Sequence, residues 1–70
     1  MSPLTQRQYD VLLWSAQGKS GEDTAAILGL PARAVRNDRA EILARLGALN
    51  MVHAVVLALK LGILDLADIP

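Results

Sequence analysis

Residues 20–46 read SGEDTAAILGLPARAVRNDRAEILARL, and this stretch decides the fold. Ser20, with Asp23 three residues on, makes a capping-box-like helix start. The helix it opens is short, about 21–28, and Gly29 suits the left-handed residue that closes a helix. Leu30-Pro31 restarts the chain, since a helix start does not need the N–H that proline lacks. The next helix is expected over 32–46, with Gly47 ending it. Its wheel divides cleanly: Val35, Ile42 and Leu46 cluster on one side, and Arg33, Arg36, Asn37, Ala40 and Ala44 lie on the other. A short helix, a glycine-containing turn and a second helix with a polar, exposed N-terminal half describe a helix-turn-helix. In that geometry the second helix projects side chains into a major groove while the first crosses the backbone.

Outward from this unit, Thr5 is a good N-cap for a helix over 6–17, which Gly18 stops. Asn50 caps a fourth helix over about 51–61, closed by Gly62. Glu41 and Arg45 stand four apart in the favourable order for a solvated ion pair, worth a few tenths of a kcal/mol. No run alternates with period two, so no strand is expected. The expectation is an all-α, four-helix single domain over residues 1–70.

Composition narrows the function classes. Seventy residues are one small domain, unsuited to a deep catalytic cleft. The absence of cysteine removes disulfides, thiolate nucleophiles and Cys-based zinc sites, and a lone histidine leaves little acid–base chemistry. Glu22-Asp23 sit at a helix start, where they suit the helix dipole better than they suit an acid/base pair. No Gly-rich phosphate loop is present. No enzyme, metal site or cofactor is expected. Hydrophobic residues are 53% and aromatics 3%, so the core must be aliphatic. No secretory signal is visible, and the apolar stretch 51–64 is broken by His53, Lys60 and Gly62, which points to a cytoplasmic chain without membrane contact. Seven basic residues balance seven acidic ones. That neutrality at first argues against nucleic acid. Without Asp65 and Asp68, near the C-terminus, five acidic residues remain against the seven basic ones. Four of the seven, Arg33, Arg36, Arg39 and Arg45, lie on one helix.

Leu4-Thr5-Gln6-Arg7, Val11-Leu12, Trp14-Ser15-Ala16-Gln17-Gly18-Lys19-Ser20, Ala25, Leu28-Gly29, Val35, Ile42, Leu46-Gly47, Asn50, Ala54 and Leu61-Gly62-Ile63 fit one pattern. The chain resembles the LuxR-type (GerE-like) DNA-binding domain over about residues 4–64, without a gap. The stretch around Trp14-Ser15-Ala16-Gln17-Gly18-Lys19-Ser20 looks more like the quorum-sensing branch than the response-regulator branch. The resemblance implies sequence-specific binding of double-stranded DNA in transcription regulation. Base-edge contacts are implied at the positions of Arg33, Arg36, Asn37 and Ala40. Phosphate contacts are expected from Lys19, Ser20 and Arg45, with helix capping by Ser20 and pairing of Arg45 with Glu41 as the competing readings. It also implies a C-terminal place in a longer regulator with an N-terminal signal-binding domain. On that view Met1-Ser2-Pro3 is a domain boundary and Pro70 lies near the natural end.

Several positions depart from the family's pattern. Pro31 and Ala34 stand where hydroxyl residues are usual, Ala40 where a basic one is common, and Met51 where a polar or basic one is. Gln8 replaces a Glu and Thr24 a core Ile. Asp38 replaces a His or another residue without negative charge, and is expected to place a negative charge near the DNA side.

On the fourth helix Ala54, Leu57, Ala58 and Leu61 are expected to face the core. Val52, Val55, Val56 and Leu59 form a second apolar face, for which a homodimer about a two-fold axis, on a palindromic site, is the expected partner. The competing expectation is that the 65–70 tail, through Leu66 and Ile69, covers that face. His53 is expected to be a surface residue. The alternative function is a protein-interaction module or antagonist, with weakened DNA binding, that pairs with a related regulator through helix four.

Overall fold

The computed structural model describes residues 3–69. The boundary residues Met1, Ser2 and Pro70 lie outside them. Four helices follow in order: α1 Gln6–Ala16, α2 Gly21–Leu28, α3 Ala32–Leu46 and α4 Met51–Lys60, then a 3-10 turn Leu66–Asp68. The expected helices over 6–17 and 51–61 each end one residue early, because Gln17 and Leu61 serve as C-caps.

The ends are set by side chains that satisfy otherwise orphaned backbone groups. At α1 the capping box is reciprocal: the Gln8 N–H donates to Thr5 Oγ1 and the Thr5 N–H donates to Gln8 Oε1, both at 3.1 Å. Gln8 thus does the work expected of a glutamate without burying a charge. Ser20 Oγ accepts from the Asp23 N–H, and Asn50 Oδ1 from the His53 N–H. Gly29 and Gly47 close α2 and α3 at φ 68° and 66°. The Leu30 N–H then reaches Ala25 O and the Ala48 N–H reaches Leu43 O, each at 2.9 Å. That pattern requires the left-handed backbone that glycine alone adopts freely. Pro31 stands just before α3 and offers no side-chain cap.

Val11, Leu12, Val35, Ile42, Ala54, Ala58 and Leu64 fill the core, all aliphatic. α3 packs against each of the other three helices. Thr24 is buried in place of a larger apolar residue, and its hydroxyl donates to Ser20 O at 2.8 Å.

Asp38 does not face the DNA side. It is buried, with its side chain 6% exposed, and Arg7 of α1 grips it through Nε–Oδ2 at 2.7 Å and Nη2–Oδ1 at 3.0 Å. The reason is register: Asp38 lies three residues after Val35 and four before Ile42, on the same buried stripe. The carboxylate's hydrogen bonds and charge raise the pKa of Arg7 above its already high ordinary value, so the cation persists throughout the useful pH range.

Helix α4 is rotated relative to the expected division. Met51, Ala54 and Ala58 are its buried stripe, so Val55 and Leu59 fall on the flank and pack against the core. Leu61, expected inside, lies past the last turn and is exposed. Val52 and Val56 remain open to solvent, with Leu49 beside the helix start. The tail does not cover them. It turns back toward α1: Leu64 is buried, Ile69 packs on the core, Leu66 is exposed, and the Tyr9 hydroxyl donates to Asp68 Oδ2 at 3.2 Å. No single helix among the described residues is long and apolar enough to cross a membrane.

Arg7→Met strands a buried carboxylate, whereas Asp38→Asn only frees a cation into water. Thermal unfolding followed by far-UV circular dichroism is expected to show the larger loss of midpoint for Arg7→Met; equal losses or the reverse order would refute the asymmetry. Burial, reinforced by the bond to Asp68, raises the pKa of Tyr9 above its ordinary value near 10.0. The folded state holds that proton more tightly, so its contribution is fully present below pH 10 and is lost as pH rises through the folded pKa. Chemical denaturation at rising pH should show this loss in the wild type and not in Tyr9→Phe.

Candidate nucleic-acid interface

The rotation of α3 determines what this domain can touch. With Val35, Asp38 and Ile42 buried, Arg33, Arg36, Asn37 and Ala40 are all exposed. They share one face, as the wheel predicts. None of the three polar side chains has a partner among the described residues. Arginine can grip guanine O6/N7 and asparagine adenine N6/N7 with paired hydrogen bonds. Ala40 brings no polar group, so its contact with a base can only be apolar, as with a thymine methyl.

Apart from Lys60 at the end of α4, the basic residues sort into two sets. Arg7 is spent on Asp38. Arg45 donates to Glu41 Oε1 through Nε at 3.0 Å and Nη2 at 2.7 Å, and to Pro3 O through Nη1 at 3.0 Å. Lys19, Arg33, Arg36 and Arg39 make no ion pair or side-chain hydrogen bond among the described residues. These four lie just before α2 or on α3. Ser20 is engaged as the cap of α2, as its capping reading requires. The phosphate candidates are therefore unequal: Lys19 is free, while Ser20 and Arg45 already have partners within the protein.

Arg39 and Gly21 are the pair the residue pattern concealed. Arg39 is half-buried and lies against Gly21, so closely that a Cβ there would stand 2.8 Å from its Nη1. The contact joins two helices at a distance in sequence, and neither residue belongs to an apolar stripe or a cap signal that would announce it.

Elsewhere the described residues form no group of three metal-ligating side chains. His53 Nδ1 accepts the Leu49 N–H at 3.0 Å, a local bond at the start of α4.

A family model described as bacterial regulatory proteins, luxR family (GerE), matches residues 2–58. The transcriptional activator protein BjaR1 of Bradyrhizobium diazoefficiens is 37% identical over 62 residues, covering 89% of this chain and 26% of that protein. The HTH-type quorum sensing-dependent transcriptional regulator RpaR of Rhodopseudomonas palustris is 38% identical over 63 residues, 90% of this chain and 26% of its own. The transcriptional activator protein PhzR of Pseudomonas fluorescens is 38% identical over 58 residues, 83% of this chain and 24% of its own. The chain thus spans about a quarter of the length of these relatives. Four helices without a strand among the described residues, a polar outward face on α3 and a family match over most of the chain agree: it belongs to the luxR family of bacterial regulatory proteins, as a DNA-binding helix-turn-helix domain of transcription regulation and not an enzyme.

Proposed function

We propose that this domain binds duplex DNA sequence-specifically, as the C-terminal output domain of a quorum-sensing-type regulator acting in the cytoplasm. The observation that carries this reading is the outward face of α3. Arg33, Arg36 and Asn37 stand there without side-chain partners among the described residues, while the opposite face is locked into the core. In the proposed complex Arg36 and Asn37 read base edges, Arg33 and Ala40 complete the contact surface, and Lys19 meets a phosphate. Ser20 and Arg45 would add phosphate contacts by sharing groups they already use. An N-terminal signal-binding domain would precede this one in the full regulator.

The domain would act as a homodimer through α4. Val52 and Val56 form the centre of the proposed interface, and Val55 and Leu59 its edge toward the core. Two-fold pairing would set two recognition helices on a palindromic site, with half-sites about one helical turn apart. A second reading, an antagonist that pairs with a related regulator and binds DNA poorly, draws on Ala34, Ala40 and the uncapped start of α3 at Pro31. Asp38 lends it no support, because its charge is held inside by Arg7.

A duplex selected from a randomised pool, titrated over a range of salt, separates the two. Wild type is expected to show a log–log slope of a few phosphates per domain. Arg36→Ala is expected to cost about 1–3 kcal/mol and to relax base preference at one position. Equal binding by wild type and Arg36→Ala, at non-specific strength, would end the sequence-reading proposal. For assembly, Val52→Lys and Val56→Lys alter exposed positions and should leave a folded monomer where sedimentation finds the wild type dimeric. A variant as heavy as the wild type, or a wild type monomeric at high concentration, would refute the α4 dimer.

A further inference from the structure

Between the start of α2 and the flank of α3 lies an open cavity of about 490 Å³, lined by Ser20, Gly21, Glu22, Ala32, Arg36 and Arg39. Two guanidinium groups therefore border one space. Arg39 follows Arg36 by roughly one turn, on the side of α3 turned toward α2. Unlike Arg33 and Arg36, it is half-buried. Its Nη1, Cδ and Cζ would lie 2.8, 3.8 and 3.9 Å from a Cβ on Gly21, so the guanidinium occupies space that any other residue there would fill.

No carboxylate of the described residues pairs with this cation. Glu22 borders the same cavity, yet no carboxylate oxygen of the described residues comes within 4.0 Å of Arg39. Arg7 and Arg45, by contrast, are each held by a carboxylate. Ser20 Oγ accepts the Asp23 N–H, which leaves its hydroxyl hydrogen able to donate to an anion but brings no positive charge to the cavity. A partly sunken arginine without a partner gives up rotamer freedom and hydration with no compensating bond in the free protein. An anion in the cavity would supply that bond, and the planar fork of a guanidinium matches phosphate oxygens. The cavity adjoins the face that carries Arg33, Arg36 and Asn37, and a helix seated in a major groove is bordered by backbone phosphates.

We propose that Arg39, seated on Gly21, holds a DNA backbone phosphodiester in this cavity. The proposal rests on the DNA-binding reading above. It makes Gly21 a positioning residue, since its missing Cβ is what lets the guanidinium lie between the two helices. Glu22 opposes the phosphate from the rim, which makes the cation opposite it the more necessary.

Fluorescence anisotropy of the selected palindrome and of a scrambled duplex, each over a salt series, tests this. Arg39→Gln is expected to lower the log–log slope by about 0.9 per domain on both duplexes, leaving the ratio of their affinities unchanged. Arg39→Lys should restore the slope. Gly21→Ala meets only the flexible tip of Arg39, at a position without a left-handed backbone. Alanine also favours a helix over glycine, so this variant should keep or raise Tm while weakening binding to both duplexes. A wild-type slope in Arg39→Gln would overturn the phosphate site and leave DNA reading intact. A changed affinity ratio with an unchanged slope would make Arg39 a base reader and also overturn it. A wild type that binds neither duplex would remove the DNA-binding reading itself.

Discussion

The structure depends on which way α3 is turned, and the bidentate contact between Arg7 and Asp38 fixes that turn. Val35 and Ile42 alone define an apolar stripe, but apolar contact is non-directional and tolerates some rotation. A carboxylate buried between them does not. It must meet a donor or leave a charge unpaired in the interior, and Arg7 supplies two N–H groups in one plane. Turning α3 by one residue, about 100°, would break both bonds and carry Arg36 or Asn37 toward the core. A buried ion pair often adds little net stability over apolar residues of the same size. Here its consequence is orientation, with Arg33, Arg36 and Asn37 outward as a set.

The other helices are held by means suited to a small aliphatic core. α2 has eight residues, too few to persist alone in water. It is closed at one end by Ser20 and at the other by Gly29, and it packs on α3. Each side-chain cap is worth about 1 kcal/mol, a meaningful share in a chain of this size. α3 is the exception, starting at Pro31 without a side-chain cap. Its position comes from packing on three neighbours and from Arg7, so the helix that would enter DNA leaves its leading end unobstructed by a capping side chain.

Much of this was legible in the residues, for a local reason. Caps and closing glycines act within a few positions, so Thr5, Ser20, Gly29, Gly47 and Asn50 place four helices to within one residue at either end. The outward face of α3 follows from spacing alone. Asp38 departs from the outward position its charge suggests because register prevails: three from Val35 and four from Ile42 is a buried position, and only the partner on α1, far off in sequence, makes a carboxylate acceptable there. On α4 nearly every residue is apolar, so the wheel has little polar contrast to orient it. Burial of Met51, Ala54 and Ala58 settles the phase and moves Val55 and Leu59 to the flank. The Arg39–Gly21 approach and the Tyr9–Asp68 bond join distant segments, which no local pattern encodes.

The neutral charge balance takes its meaning from this placement. Asp38 and Glu41 are each matched to an arginine, and Asp68 accepts the Tyr9 hydroxyl of α1. What remains unmatched around the helix-turn-helix is Lys19, Arg33, Arg36 and Arg39 on one side, with Glu22 and Asp23 in the first turn of α2 on the other. A chain with no net charge can thus present a local basic surface, because its two ion pairs take equal numbers of each sign and three of the remaining carboxylates, Asp10, Asp65 and Asp68, lie outside α2 and α3. The surplus is small. Long-range attraction to a polyanion is correspondingly modest, and close contacts must carry the binding. Few contacts per domain are best multiplied by presenting two domains to one duplex, since a second engagement within the same assembly meets its site at high effective concentration. Modest charge on α3 and exposed valines on α4 are therefore consistent with the proposed dimer, in which affinity would come from pairing and sequence preference from a few side chains on α3.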